Sequence, residues 1–277
     1  MKKATHYGFI TLLVLAAASS MPAPVLAQGR IEGSFDRTLS VSGTLSLEVQ
    51  TGSGSIDIRR GAGNQVEIHG RIRGGDGWWR SGRNSEEAVR RLEANPPIEQ
   101  FGQTIRIGRI LDRDAQQNIS ISYQIVVPAQ TNIRSHTGSG SQTVEGIDGR
   151  VETGTGSGSI TLRDIRGDVD ANTGSGSVRA TNIRGGLRMQ TGSGGILVQG
   201  EQSGRWDLQT GSGGIELDLP PNAAFDLSAH TGSGGIEVGF PMTVQGRIGN
   251  RNDVTGKVGG GGYPLNARTG SGRIRIQ

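Results

Sequence analysis

Thr137-Gly138-Ser139-Gly140, Thr155-Gly156-Ser157-Gly158, Thr173-Gly174-Ser175-Gly176 and Thr191-Gly192-Ser193-Gly194 follow one another at intervals of 18 residues, and their reading decides the fold. The same tetrapeptide recurs at Thr51-Gly52-Ser53-Gly54, Thr210-Gly211-Ser212-Gly213, Thr231-Gly232-Ser233-Gly234 and Thr269-Gly270-Ser271-Gly272. The further spacings are 19 and 21 residues, with a gap of 86 before the regular series and one of 38, close to twice the period, at its end. Self-similarity at a short fixed period is the mark of a chain that stacks one small unit on the next.

Aligned on the tetrapeptide, the flanks form two alternating segments per repeat. Apolar residues stand four and two places before the Thr, as in Val169/Ala171, Leu187/Met189, Trp206/Leu208 and Leu265/Ala267. They stand again five and seven places after it, as in Ile160/Leu162, Val178/Ala180, Ile196/Val198 and Ile274/Ile276. A spacing of two puts both members on one face of a strand, and the residues between them are mostly polar. A helix is excluded by this period and by glycines in every window. A hairpin meander is the competing arrangement, but it has no need of Leu over Leu and Thr over Thr in successive repeats. The pattern therefore predicts an all-β chain, a parallel β-solenoid of 18- to 21-residue coils with two strands each, or three. Eight coils stacked about 4.8 Å apart would make a rod of roughly 38 Å. In this reading the tetrapeptides are structural corners, with glycine permitting a positive φ and the Thr and Ser hydroxyls bonding neighbouring backbone.

Three places break the register. Gln142 stands where an apolar residue is expected. Between Thr231 and Thr269 a turn is missing: Gly249-Asn250-Arg251-Asn252 occupies its place, Gly259 to Gly262 is a glycine run, and residues 242–264 read as a degenerate rung with a bulging loop. Residues 74–97 form an insert in the N-terminal part, with Trp78 and Trp79 beside a short helix over 84–95. Asn84 is its expected N-cap, Glu87 reaches back, and Pro96 and Pro97 end it. Trp78 and Trp79 are candidates for a sugar- or lipid-contacting tip, against the plainer expectation that the insert covers an open sheet edge. The organisation expected is a signal peptide over 1–27, N-terminal strands with the helix-containing insert over 28–130, and regular repeats over 131–277.

Composition agrees with small layers. The 277 residues include 48 glycines, about 17% against an average of roughly 7%, and hydrophobic residues make up 32%. Lys2 and Lys3 precede an apolar run from Gly8 to Ala18 and a small-residue site ending at Ala27, which reads as a cleaved signal peptide. The run is shorter than the roughly 20 residues that span a bilayer, so no transmembrane segment is expected after cleavage. No cysteine is present, so neither disulfides nor a lipidated cysteine enter. Without Lys2 and Lys3 the chain has 27 basic and 25 acidic residues, scattered rather than blocked, which does not indicate nucleic-acid binding. A periplasmic or extracellular protein is expected.

Several stretches resemble a known family: Phe35 to Gln50 leading into the first tetrapeptide, Pro96-Pro97-Ile98, the strand from Ile119 to Pro128, and the repeated turn from Thr137 onward. They are similar to the large bacterial family of β-strand-repeat proteins of unknown function, often labelled adhesins. The resemblance covers nearly all of the chain after residue 27. It implies a parallel β-solenoid in the cell envelope and carries over no catalytic residues.

The same positions bear on what chemistry the chain can carry. A calcium β-roll needs Asp two places beyond the last turn glycine, where this chain has Ile56, Ile160, Val178, Ile196, Ile215, Ile236 and Ile274. A P-loop needs Lys and Ser/Thr after the glycines and then a helix, and neither follows any copy. His136 and His230 share a place in the repeat but lie several rungs apart, and His69 is isolated. Asp170, Asp207, Glu216 and Asp218 are interspersed with Arg and Gln. No cofactor, metal site or catalytic constellation is read, and an ice-binding threonine array lacks its second Thr. The expectation is a non-catalytic envelope scaffold or adhesion module whose partner is a glycan or protein. The alternative is a carbohydrate-active or glycan-binding β-helix, which would show a carboxylate trio on one face. Because the chain stops directly after Ile276, an open terminal strand edge is expected, and with it self-association end to end.

Overall fold

A computed structural model of the chain describes residues 32–74, 82–108, 119–244 and 252–277. From the N-terminal side come β1 (Glu32–Ser40), β2 (Leu45–Thr51), β3 (Ile56–Arg60) and β4 (Gln65–Gly74), then α1 (Gly82–Ala94). Next are β5 (Ile98–Phe101), β6 (Thr104–Ile107), β7 (Ile119–Val127), β8 (Thr131–Thr137), β9 (Gln142–Glu145), β10 (Val151–Thr155) and β11 (Ile160–Arg166). The series continues as β12 (Val169–Thr173), β13 (Val178–Arg184), β14 (Leu187–Thr191), β15 (Ile196–Gln199), β16 (Trp206–Thr210) and β17 (Ile215–Asp218). It ends with β18 (Phe225–Thr231), β19 (Ile236–Val238), β20 (Met242–Thr243), β21 (Asp253–Val258), β22 (Tyr263–Thr269) and β23 (Ile274–Ile276).

The strands before and after each tetrapeptide fall into two different sheets. The 12-stranded sheet has the order β20-β21-β18-β22-β16-β14-β12-β10-β8-β2-β6-β5, and the 11-stranded sheet β1-β4-β7-β3-β9-β11-β13-β15-β17-β23-β19. Pairing is parallel throughout the middle, with Val151 beside Val169, Val169 beside Leu187 and Leu187 beside Trp206. Among the described residues, antiparallel pairs occur only towards the ends, at β1/β4, β4/β7, β5/β6, β18/β21 and β20/β21. The alternation explains the two faces: in β12, Val169 and Ala171 are buried while Asp170 and Asn172 point outward. The inward rows of both sheets, together with Ile147 just after β9 and Ile165 and Ile183 near the ends of β11 and β13, make one continuous core.

The corner is held by the Thr hydroxyl. Thr155 Oγ1 donates to Gly140 O of the neighbouring coil at 2.9 Å and accepts from Gly158 N at 3.1 Å. Thr173 repeats this with Gly158 O and Gly176 N, and Thr191 with Gly176 O and Gly194 N. The reason for glycine differs from the expectation of a positive φ, since the left-handed glycines are others, such as Gly146 and Gly200. All the tetrapeptide glycines but Gly52 are required by close approach: a Cβ on Gly158 would lie 1.9 Å from Gly140 O, and one on Gly156 2.4 Å from Gly138 O.

Gln142 is fully buried and belongs to a polar trio inside the core. Its Oε1 accepts from Ser135 Oγ at 2.5 Å and Thr153 Oγ1 at 2.7 Å, and its Nε2 donates to Gly154 O. The long amide fills the space that Ser135 and Thr153, small residues at otherwise apolar positions, leave free. Every member is satisfied, which is the condition for burying such groups.

Both ends of the stack depart from sequence order. The C-terminal coil does not form an open end: β23 lies between β17 and β19, and β22 between β16 and β18. Leu219 N donates to Gln277 O at 2.7 Å, and Gln277 N to Leu217 O at 2.9 Å, so the last residue is seated against the coil of Thr210. The longer 21-residue step, through Pro220 and Pro221, carries the chain across the vacant place that the C-terminal coil then fills. Charge favours this order, because Arg275 stands between Glu216 and Glu237, which sequential stacking would put side by side. Nor is 242–264 a degenerate rung. β20 and β21 pair antiparallel over the outer edge of β18, and residues 245–251, including Gly249 and Arg251, lie outside the described residues. At the other end β6 and β7 flank the first tetrapeptide coil, and β4 and β1 extend the sheet beyond β7.

Helix α1 begins at Gly82, two residues before the expected cap, so Asn84 is inside its first turn. Tertiary packing sets its position: Val89 is buried near Gly33, and Glu93 accepts a hydrogen bond from Ser34 N at 2.9 Å. Glu87 pairs forward with Arg91 at 3.5 Å rather than back to a cap.

Gly158→Ala is expected to destabilise the chain by about 1–3 kcal/mol through forced backbone shifts. Gln142→Ala should cost about 1–3 kcal/mol by orphaning its partners, whereas Ser135→Val, Thr153→Val and Gln142→Leu together should be near neutral. Urea-denaturation midpoints of the variants check both.

Candidate functional site

The outward face of the 12-stranded sheet is a ladder of compensating charges. Arg106 pairs with Glu48 at 2.9 Å and Arg134 with Glu152 at 3.0 Å. Arg188 separates Asp170 from Asp207 in register. Burial pushes the Asp207 carboxyl up, but hydrogen bonds from Arg205 and Asn266 and the charges of Arg205 and Arg188 outweigh it and hold the group below its usual range. Its stabilising contacts are thus complete at neutral pH and lost as acid protonates it. Glu216 and Asp218 belong to the other sheet, so the four carboxylates considered in the sequence do not converge. Among the described residues no group of three His, Cys, Asp or Glu side chains is placed to hold a metal ion.

The outward face of the 11-stranded sheet carries a trough of about 640 Å³ across β11, β13, β15, β17 and β23. Two residue rows form it. One runs Ser159, Ser177, Gly195, Gly214, Arg273, and the other runs Thr161, Arg179, Leu197, Glu216, Arg275. Gly195 and Gly214 leave the middle of the floor bare. Their case is unlike that of the corner glycines: a Cβ would stand 3.5 Å from Gly214 O and 3.3 Å from Arg273 O respectively, and neither residue is left-handed. Packing does not exclude a side chain at 195, so the opening is additional to what the stack needs.

Charge is fixed at one end of the trough. Glu237 receives Arg275 Nε at 3.2 Å and Arg273 Nη1 at 3.6 Å, holding two guanidinium groups in place. Arg179 lies at the opposite side and makes no ion pair among the described residues. Leu197, half-buried, is the apolar centre between them.

Of the residues singled out in the sequence, Trp78 and Trp79 lie outside the described residues. His136 is an exposed neighbour of Gly154; His230 Nδ1 lies 2.5 Å from Asp253 Oδ1, and His69 Nδ1 2.8 Å from Asp36 Oδ1, in separate places. The trough was not anticipated. Its signal was present as the change from Thr-Gly-Ser-Gly-Ser at Thr155 and Thr173 to Thr-Gly-Ser-Gly-Gly at Thr191 and Thr210.

Among the described residues, stacked, mostly parallel strands in two unclosed sheets with one helix define the class of this protein. The family model described as Toastrack DUF4097 matches residues 111–277, and the chain belongs to that family. No curated protein matches it. Among solved structures, it is similar to a "putative cell adhesion protein" from Clostridium sporogenes, with 15% identity and a TM-score of 0.42 over 88% of this chain and 99% of the other. It is also similar to a "putative adhesin" from Bacteroides fragilis, with 12% identity and a TM-score of 0.41 over 88% and 97% of the two chains.

Gly195→Ser, which restores the residue of the two preceding coils, should leave the stability from urea denaturation within about 0.5 kcal/mol of the parent. A loss as large as that from a corner glycine would show that packing, not an opening, requires it.

Proposed function

We propose that this protein is an exported β-solenoid of 18- to 21-residue coils that serves the cell envelope as a non-catalytic binding module or scaffold. The observation that carries the reading is the trough. A stack stapled at its tetrapeptide corners presents an open channel whose bare floor at Gly195 its packing does not require. Rigid repeats that set side chains at regular intervals suit recognition of an extended partner, and the remaining outward charges largely neutralise one another in ladders. Export is supported by the basic, apolar and small-residue succession over residues 1–27. Among the described residues no helix is long and apolar enough to cross a membrane.

Two measurements test this. Cell fractionation followed by mass spectrometry of the N-terminus should find the chain beyond the inner membrane and beginning at Gln28; a cytoplasmic chain retaining Lys2 and Lys3 would contradict export. The immobilised mature chain should retain a component of envelope extracts that excess soluble chain displaces. Retention of nothing displaceable would contradict the binding role.

A further inference from the structure

We propose that the trough over β11, β13, β15, β17 and β23 binds an extended acidic polysaccharide lying along the stack, across the strands. This rests on the reading of the chain as a binding module and names its ligand class. Shape gives the direction. The trough crosses five coils, four spacings of about 4.8 Å, or roughly 19 Å, so it fits a thin polymer rather than a compact ligand. The length of one sugar ring along such a polymer is close to the coil spacing, so successive rings meet equivalent positions of successive coils.

The lining chemistry gives the class. Three arginines, Arg179, Arg273 and Arg275, line the trough with one carboxylate, Glu216. Glu237 at its edge pairs with two of them, so the group keeps an excess of positive charge, with Arg179 unpaired among the described residues. Arg179 and Arg275 stand three coils apart in the same row, so they suit carboxylates repeated along a chain better than a single anion. Guanidinium groups pair with carboxylates in a planar, two-pronged geometry, and Glu237 orients two of them in advance. Between the cations, Leu197 offers apolar contact to the C–H face of a ring, while Ser159, Ser177, Thr161 and Glu216 offer partners for hydroxyls. The bare backbone at Gly195 and Gly214 makes the room: side chains at both would fill the middle of the channel.

The test is calorimetric titration of the mature chain with hexagalacturonate and with cellohexaose, an acidic and a neutral oligomer of the same length. Hexagalacturonate should bind, added salt should weaken it, and cellohexaose should bind at least about tenfold more weakly. Arg179→Gln and the double variant Gly195→Leu/Gly214→Leu should each weaken hexagalacturonate about tenfold or more. Arg179→Gln should melt with the parent. Because a Cβ on Gly214 would lie 3.3 Å from Arg273 O, the double variant should melt somewhat lower. Gly195→Leu alone, which should melt with the parent and still weaken hexagalacturonate, carries the test of the floor should the double variant fold poorly. Equal binding of the two oligomers would overturn the acidic class, and binding indifferent to the filled floor would overturn the place. If neither oligomer binds while envelope extracts still yield a displaceable component, this inference falls and the binding module stands. If an extract protein is retained by the parent and lost with the filled floor, the trough is a protein site and the polysaccharide is excluded. If neither oligomer nor extract binds, both readings fall.

Discussion

The Thr hydroxyl at the corners from Thr137 onward, donating to the carbonyl of one coil while accepting from an amide of its own, is the contact on which the rest of the structure depends. It closes a buried place where two backbones pass so near that a methyl group would lie within 2.4 Å of a carbonyl oxygen, as at Gly156 and Gly158. Backbone polar groups at that depth need partners, and the Thr side chain supplies one without widening the gap. Once the corner repeats, the strands on either side are obliged to stack in register. The rows of Leu, Ile and Val then follow, and 32% hydrophobic residues are enough because each coil needs only a few. Where the rows turn polar, at Ser135, Gln142 and Thr153, the trio closes on itself and on Gly154 O.

Stacked parallel strands leave open edges, and the way this chain arranges its ends reduces them. The first and last tetrapeptide coils both lie one layer inside the stack. β6 and β7 cover the first, and the coil of Thr231 covers the last. Beyond them the pairing turns antiparallel, and α1 packs beside β1 and β4. The inserted C-terminal coil also sets up the trough. It brings Arg273 and Arg275 beside Glu216 of the Thr210 coil, which no sequential stack would do. Scaffold order and surface chemistry are therefore the same event.

The core rows were legible in the sequence because their information is local: a spacing of two in Val169/Ala171 or Ile196/Val198, repeated on a fixed marker. The order of the coils was not. Nothing near Leu265 or Ala267 says which neighbours they stack on; that is settled by the long step through Pro220 and Pro221 and by Arg275 parting Glu216 from Glu237. The same limit hid the trough, since Gly195 and Gly214 acquire meaning only when Arg273 and Arg275 are known to stand next to them. That the corner glycines are essential is legible in the sequence, but the reason, contact between two coils rather than a bend in one, is not. The start of α1 is not legible either, because Asn84 is a good capping residue type by sequence, whereas Val89 and Glu93, packed on the first strand, set the helix in place.

The most direct test of this account is disulfide formation between cysteines introduced in pairs on the outward row of the 12-stranded sheet, in a chain with no cysteine of its own. Gln209 lies beside Arg268, and Arg268 beside His230. Gln209→Cys with Arg268→Cys, and Arg268→Cys with His230→Cys, should each cross-link on mild oxidation. Gln209→Cys with His230→Cys spans two coil spacings, roughly 9.6 Å, beyond the reach of a disulfide, and should stay reduced. Ready cross-linking of that third pair, with none between positions 209 and 268, would mean that the coils stack in sequence order and would contradict the account.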